Sequence, residues 1–173
     1  MYIDSESIIQ RADCLVNVLG TRDPKRIAKL LDITVMPCHF KVQRGAYKVI
    51  LKNRFIFIKD DMDPVMENVV LLHEIAHDML HRKEAVAAGG FQDFDVLDMR
   101  DVRMEYEANL FAAEVALPDD DLWAYVLQGY DAKQIAALMG TDANFVGMKV
   151  DLMHKKGYRL NTPEFRGNFL REG

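Results

Sequence analysis

The sequence predicts an α+β protein: helices at the N-terminus, a small antiparallel sheet, two long central helices and a helical C-terminal unit. Three observations carry that expectation. Apolar residues recur at three-to-four spacing through most of the chain. Between Ile33 and Ile58 that spacing gives way to alternation. Helix start and stop signals then punctuate everything downstream of Asp63.

The first helix is read from Ile8, Ile9, Ala12, Leu15, Val16 and Leu19, and it stops at Gly20. Asp23 caps a second helix with Pro24 at its first position and an apolar face of Ile27, Ala28, Leu30 and Leu31. Thr34-Val35-Met36 reads as a short strand ending at Pro37. Tyr47, Val49 and Leu51 alternate with lysines, and Phe55-Ile56-Phe57-Ile58 follows a turn over Lys52-Asn53-Arg54, so these two runs form a hairpin. Asp63-Pro64 opens a long helix whose stripe is Val65, Val69, Leu72, Ala76 and Leu80. Residues 83–100, with Gly89-Gly90 and several aspartates, read as a long loop. A helix over roughly 101–117 stops before Pro118, and another spans 119–128. Asp131 and Gln134 make a capping box for a short helix ended by Gly140, and residues 142–156 form the last helix. The division falls at Pro118: a domain over 1–118 and a helical, helix-turn-helix-like extension over 119–173.

With 173 residues the chain is one compact unit with such an appendage. Lys+Arg 22 against Asp+Glu 27 gives a formal charge of −5, which argues against a general binder of nucleic acid or anionic membrane. Cys14 and Cys38 have no paired spacing, so a disulfide framework and a cysteine zinc site are excluded, and a reducing cytoplasmic setting fits. No basic n-region precedes an apolar stretch, and no apolar run spans a membrane. Cys14 is expected to be a small buried hydrophobe, and the ten methionines core filler.

His73-Glu74-Ile75-Ala76-His77 is the stretch that carries chemistry. Four residues apart on a helix, His73 and His77 leave the same face one turn apart and can share one tetrahedral Zn2+. Glu74 leaves in a neighbouring direction and can take a proton from a water activated by the metal. Lys83 stands where a third histidine would make a metzincin, so a carboxylate from a later helix is wanted. The helix over 101–117 offers Glu105, Glu107 and Glu114. Glu105 is favoured because Asn109 lies one turn on as a hydrogen-bonding partner, while Ala108 and Ala112 leave room for close helix packing. Glu107 pairs instead with Phe111, which suits a core contact.

His73–His77 together with Glu105-x-Glu107-Ala108-Asn109-x-Phe111-Ala112-Ala113-x-x-x-Leu117-Pro118 resembles the ImmA/IrrE family of metallopeptidases. Asp23-Pro24 followed by Ile27-Ala28-Lys29-Leu30-Leu31 fits the same pattern, and the resemblance runs from about residue 5 to 155. It departs at Ala76, where glycine is frequent, and at Val115-Ala116-Leu117, where leucines are usual. The resemblance implies a zincin-like fold and a gluzincin-like zinc endopeptidase with His73, His77 and Glu105 as ligands and Glu74 as the catalytic residue. It also implies a protein substrate, a transcriptional repressor of the phage or mobile-element type.

Other residues carry weaker signals. His81 continues the His73–His77 face and is read either as a helix-ending residue or as a support for the site. His39 and His154 read as structural or solvated. Tyr106, Tyr47 and His81 are candidates for stabilising the oxyanion. The strand Phe55–Ile58 is expected to be a sheet edge that cradles substrate by strand addition. Residues 131–153 have a helix-turn-helix outline, but Asn144, Lys149, Lys155 and Lys156 are a thin set for reading DNA, so packing or repressor recognition is the stronger expectation. The rival to an endopeptidase is a non-proteolytic zinc-containing regulator acting on a partner or on DNA.

Overall fold

The computed structural model describes residues 4–87 and 99–160. Among the described residues, seven helices and three strands follow in the order α1 (Ser5–Leu19), α2 (Pro24–Leu30), β1 (Thr34–Cys38), β2 (Gly45–Ile50), β3 (Asn53–Lys59), α3 (Pro64–Ala87), α4 (Met99–Ala116), α5 (Asp119–Leu127), α6 (Ala132–Met139) and α7 (Ala143–Lys155). None of the described helices is long and apolar enough to cross a membrane.

Local signals set the helix ends. Asp4, Asp23, Asp131 and Asp142 each accept a backbone N–H from the first turn they cap. Gly20 and Gly140 close α1 and α6 in the left-handed conformation that glycine adopts without steric cost. Gln134 completes the capping box with Asp131. Past the end of α4, Arg22 donates to the carbonyls of Glu114 and Val115, satisfying two acceptors the helix leaves open.

The sheet is mixed rather than antiparallel. Its order is β1-β3-β2, with β2 antiparallel and β1 parallel to β3. β3 is therefore the central strand, which removes Phe55–Ile58 as a substrate-accepting edge. β1 runs through Pro37 to Cys38, and Pro37 is tolerated because the strand is an outer one. The hairpin turn is Leu51-Lys52, between paired Ile50 and Asn53, one residue earlier than the asparagine suggests. Both turn residues have positive φ, 49° and 68°, as a type I′ turn requires, and neither is a residue type suited to it. Replacing Leu51-Lys52 by Asn-Gly is expected to stabilise the chain by about 1–2 kcal/mol, read as a higher urea midpoint at unchanged slope.

One core runs through the molecule. α3 packs on β2 and β3 on one side and on α2 and α4 on others. Eight consecutive residues, Val69 to Ala76, are buried, so the stripe expected for an amphipathic helix becomes a helix enclosed all round. Val65 and Leu30 turn outward instead. α3 continues past Lys83 to Ala87, where a loop was expected; the stretch 88–98, with Gly89-Gly90, lies outside the described residues. α4 meets α1, α3 and α7 through Ala108, Phe111, Ala112 and Ala113, all at 0% exposure. Cys14 is exposed, because it lies off the face formed by Ile8, Ala12 and Leu15.

α7 is buried along Phe145–Val150, Leu152 and Met153, so it does not present a reading face of the kind DNA recognition uses. Its basic residues are engaged internally. Lys149 is fully buried, 2.8 Å from Glu114 and 2.5 Å from Asp119. Lys156 shares the same two carboxylates, and Lys155 pairs with Asp151. This knot ties α7 to the end of α4 and the start of α5.

Candidate metal centre

α3 and α4 lie side by side, and their polar residues meet in order along both helices. His73 and His77 project from α3 towards α4, whose Asn109 and Glu105 answer them. His73 Nε2 and His77 Nε2 are 3.0 Å apart. Glu105 Oε2 lies 3.2 Å from His73 Nε2, and Glu105 Oε1 lies 3.3 Å from His77 Nε2. Glu107, the alternative considered for this position, is not there; it meets His81 instead, with Oε2 3.0 Å from Nε2.

The hydrogen bonds around the rings fix their tautomers. His73 Nδ1 stands 2.7 Å from Asn109 Oδ1, an acceptor, so Nδ1 carries the proton and Nε2 keeps its lone pair. His81 Nε2 donates to Glu107, leaving His81 Nδ1 to accept from His77 Nδ1–H at 3.1 Å. His77 Nε2 therefore also carries a lone pair. With both rings neutral, two imidazole lone pairs and a carboxylate converge on one point, an arrangement that suits a cation at the centre. Around a tetrahedral ion with bonds of ~2.0–2.1 Å, neighbouring ligand atoms stand about 3.3–3.4 Å apart. The observed separations come close to that, and the donor set suits zinc. Among the described residues, His73, His77 and Glu105 are the group of this kind that could hold a metal ion.

His73 and Glu105 act on each other across their contact. Burial opposes an imidazolium at His73, but the charge and hydrogen bond of Glu105 outweigh it and hold the ring up at about 9. Burial likewise opposes ionisation of Glu105, and the two histidines overcome it and push its carboxyl far below the usual range. His81 is pushed down to about 4, by burial first and by His77 second, so its ring is neutral at ordinary pH.

Glu74 is 6% exposed and lies beside this group without belonging to it. Burial raises its pKa, the charges of His73 and His77 act against that, and the backbone N–H of Tyr47 donates to it. Gly45, the first residue of β2, faces it directly. A Cβ at Gly45 would stand 2.7 Å from Glu74 Oε1 and 2.7 Å from Val70 Cγ1. No sequence signal marked Gly45; the reason for a glycine there is the approach of a carboxylate from another element. Asp78 was also missed. Its carboxylate, fully buried, accepts from Tyr47 Oη at 2.6 Å and pairs with Arg54 and Arg82, binding the hairpin to α3. That bond commits the Tyr47 hydroxyl, so Tyr47 is not free to serve an oxyanion.

A helix that places two histidines and a buried glutamate against a sheet, with an acidic ligand from the next helix, is the arrangement of metallopeptidases. Comparison with known proteins agrees. "Uncharacterized immunity region protein 2" of Bacillus phage phi105 is 30% identical over 159 residues, 91% of this chain and 95% of that protein. The model of the peptidase family described as the IrrE N-terminal-like domain matches residues 28–151, which take in α3 and α4 whole. The chain belongs to that peptidase family, the family of the IrrE N-terminal-like domain.

Proposed function

We propose that the protein is a zinc-dependent endopeptidase that cleaves a transcriptional repressor of the phage or mobile-element type. The observation that carries the reading is the convergence of two imidazole lone pairs and one carboxylate, at 3.0–3.3 Å, beside a buried glutamate that is not part of the triad. His73, His77 and Glu105 would hold the ion. Bound there, zinc supplies Lewis acidity, lowering the pKa of a water towards ~7 and polarising a peptide carbonyl.

Glu74 takes the proton of the attacking water and returns it to the departing amine. Gly45 and the Tyr47 N–H fix where its carboxylate sits. A raised pKa suits a base that must also release its proton. β2 takes over the role expected of Phe55–Ile58: it is an outer strand, and its first residues border Glu74, so an extended chain added to it would run towards the base. The division at Pro118 belongs to this reading: a peptidase part before it, and α5–α7 as an extension packed on α4 and α1. The name of the phi105 relative, an immunity region protein, supports a repressor as substrate and a cytoplasmic setting.

The test is incubation of the purified protein, zinc-loaded, with the repressor encoded beside it, followed by mass spectrometry with and without a chelator. One or a few defined cleavage products, absent with chelator, are expected. An intact repressor under zinc saturation, with or without the cognate DNA, would favour the non-proteolytic regulator instead.

A further inference from the structure

We infer that His81 and Glu107 act as a positioning pair for the metal centre, holding the His77 ring through two successive hydrogen bonds so that Nε2 faces the cation. The inference rests on the metal reading above and adds two residues to it. His77 Nδ1 meets His81 Nδ1 at 3.1 Å, and His81 Nε2 meets Glu107 Oε2 at 3.0 Å. His81 and Glu107 are 5% and 2% exposed, so water does not replace either partner cheaply. Arg103 Nε stands 3.3 Å from Glu107 Oε1, an ion pair at the far end of the chain.

The backbone is shaped for this contact. α3 leaves helical geometry at His81 alone, with φ −123° and ψ 17°, and resumes as far as Ala87. A histidine four residues past His77 already shares its face. The departure from helical geometry falls at the residue whose ring reaches both His77 and α4. A simple helix-ending histidine would need neither the burial nor the two partners.

The two zinc-facing histidines are thus supported differently. His73 donates to a neutral amide oxygen on Asn109, while His77 donates to an imidazole that is itself anchored on a carboxylate. Outer partners of this kind orient the ring, fix its tautomer and raise its basicity. Because the His77 support passes through one residue to reach another, removing either member breaks the whole chain.

The test uses the full chain and zinc alone, with affinity read by competition against a chromophoric chelator. His81→Ala and Glu107→Ala are each expected to weaken zinc binding about 10–100-fold. The double variant should be no weaker than the worse single, whereas Asn109→Ala should multiply with either. Glu107→Gln, whose amide oxygen still accepts from His81, should recover most of the loss. In parallel, nitrogen NMR of histidine-labelled, zinc-bound wild type should find His77 protonated at Nδ1 and His81 neutral and protonated at Nε2; this reading does not depend on any variant folding. Unchanged affinity in both single variants, multiplicative losses in the double, or a His81 ring protonated at Nδ1 would overturn the inference. Wild type that binds no zinc would sink the metal reading itself; wild type that binds zinc beside unaffected variants would sink this proposal alone.

Discussion

Glu74→Gln is expected to slow cleavage by roughly 10²–10⁴-fold while leaving zinc affinity within about threefold of wild type. The substitution keeps the shape of a side chain confined by Gly45 and Val70, and its amide oxygen can still accept from the Tyr47 N–H. What it loses is the ability to accept and return a proton. Glu74 contributes no atom to the triad of His73, His77 and Glu105, so the metal has no reason to leave. His77→Ala should behave differently, losing zinc and cleavage together, because it deletes one of the converging lone pairs. Paired zinc titration and timed proteolysis separate the two. If Glu74→Gln cleaved at the wild-type rate, another group would be the base.

Asp78→Ala is expected to be the most damaging structural substitution, costing about 3–4 kcal/mol and lowering Tm by roughly 10 °C. Its carboxylate is fully buried and serves Tyr47, Arg54 and Arg82 at once. Removal strands the Tyr47 hydroxyl in a residue only 7% exposed and leaves Arg54 without its counter-ion. Burial, then the hydrogen bond and charge of Asp78, raise the Tyr47 hydroxyl above its ordinary 10.0. A raised acid is kept neutral by the fold, so its contribution is complete below about pH 10 and is lost as the pH climbs beyond it. Tyr47→Phe should remove that alkaline component and cost about 1 kcal/mol at neutral pH. Urea titrations at pH 7.5 and 10.5 on the three chains check both statements; a stable Asp78→Ala chain would show the cluster to be incidental.

Helices were legible in the sequence because their signals are local. Asp23-Pro24, the Asp131–Gln134 box, and Gly20 and Gly140 each act within a turn of the element they bound. The clustering of His73, His77 and Glu105 was legible for a related reason: His73 and His77 are fixed by helical spacing, and Glu105 is favoured over Glu107 because Asn109 and the alanines imply where two helices touch. Asn109 does contact a histidine, and Glu107 does lie elsewhere. Strand order was not legible. Alternation identifies strands but not partners, and β1 reaches β3 past β2, a choice made by packing far along the chain. The turn at Leu51-Lys52 escaped because neither residue is of the type that favours positive φ. The His81–Glu107 contact escaped because it needs a bend in α3 that no proline or glycine announces. Cys14 and Leu30 were misplaced by a shorter error, a rotation of about 100° around a helix whose buried face is narrow.

The two rims of the sheet are chemically unequal. Along β1, Pro37 has no N–H to offer a visiting chain, so a ladder started at that rim is interrupted within the strand. Fibril-like stacking through that side is discouraged by the sequence of the strand itself. The opposite rim carries no proline, and it is the one whose first residue abuts Glu74. On the proposed reading an extended polypeptide would join at one rim only, the β2 side beside Glu74, while Pro37 guards the other.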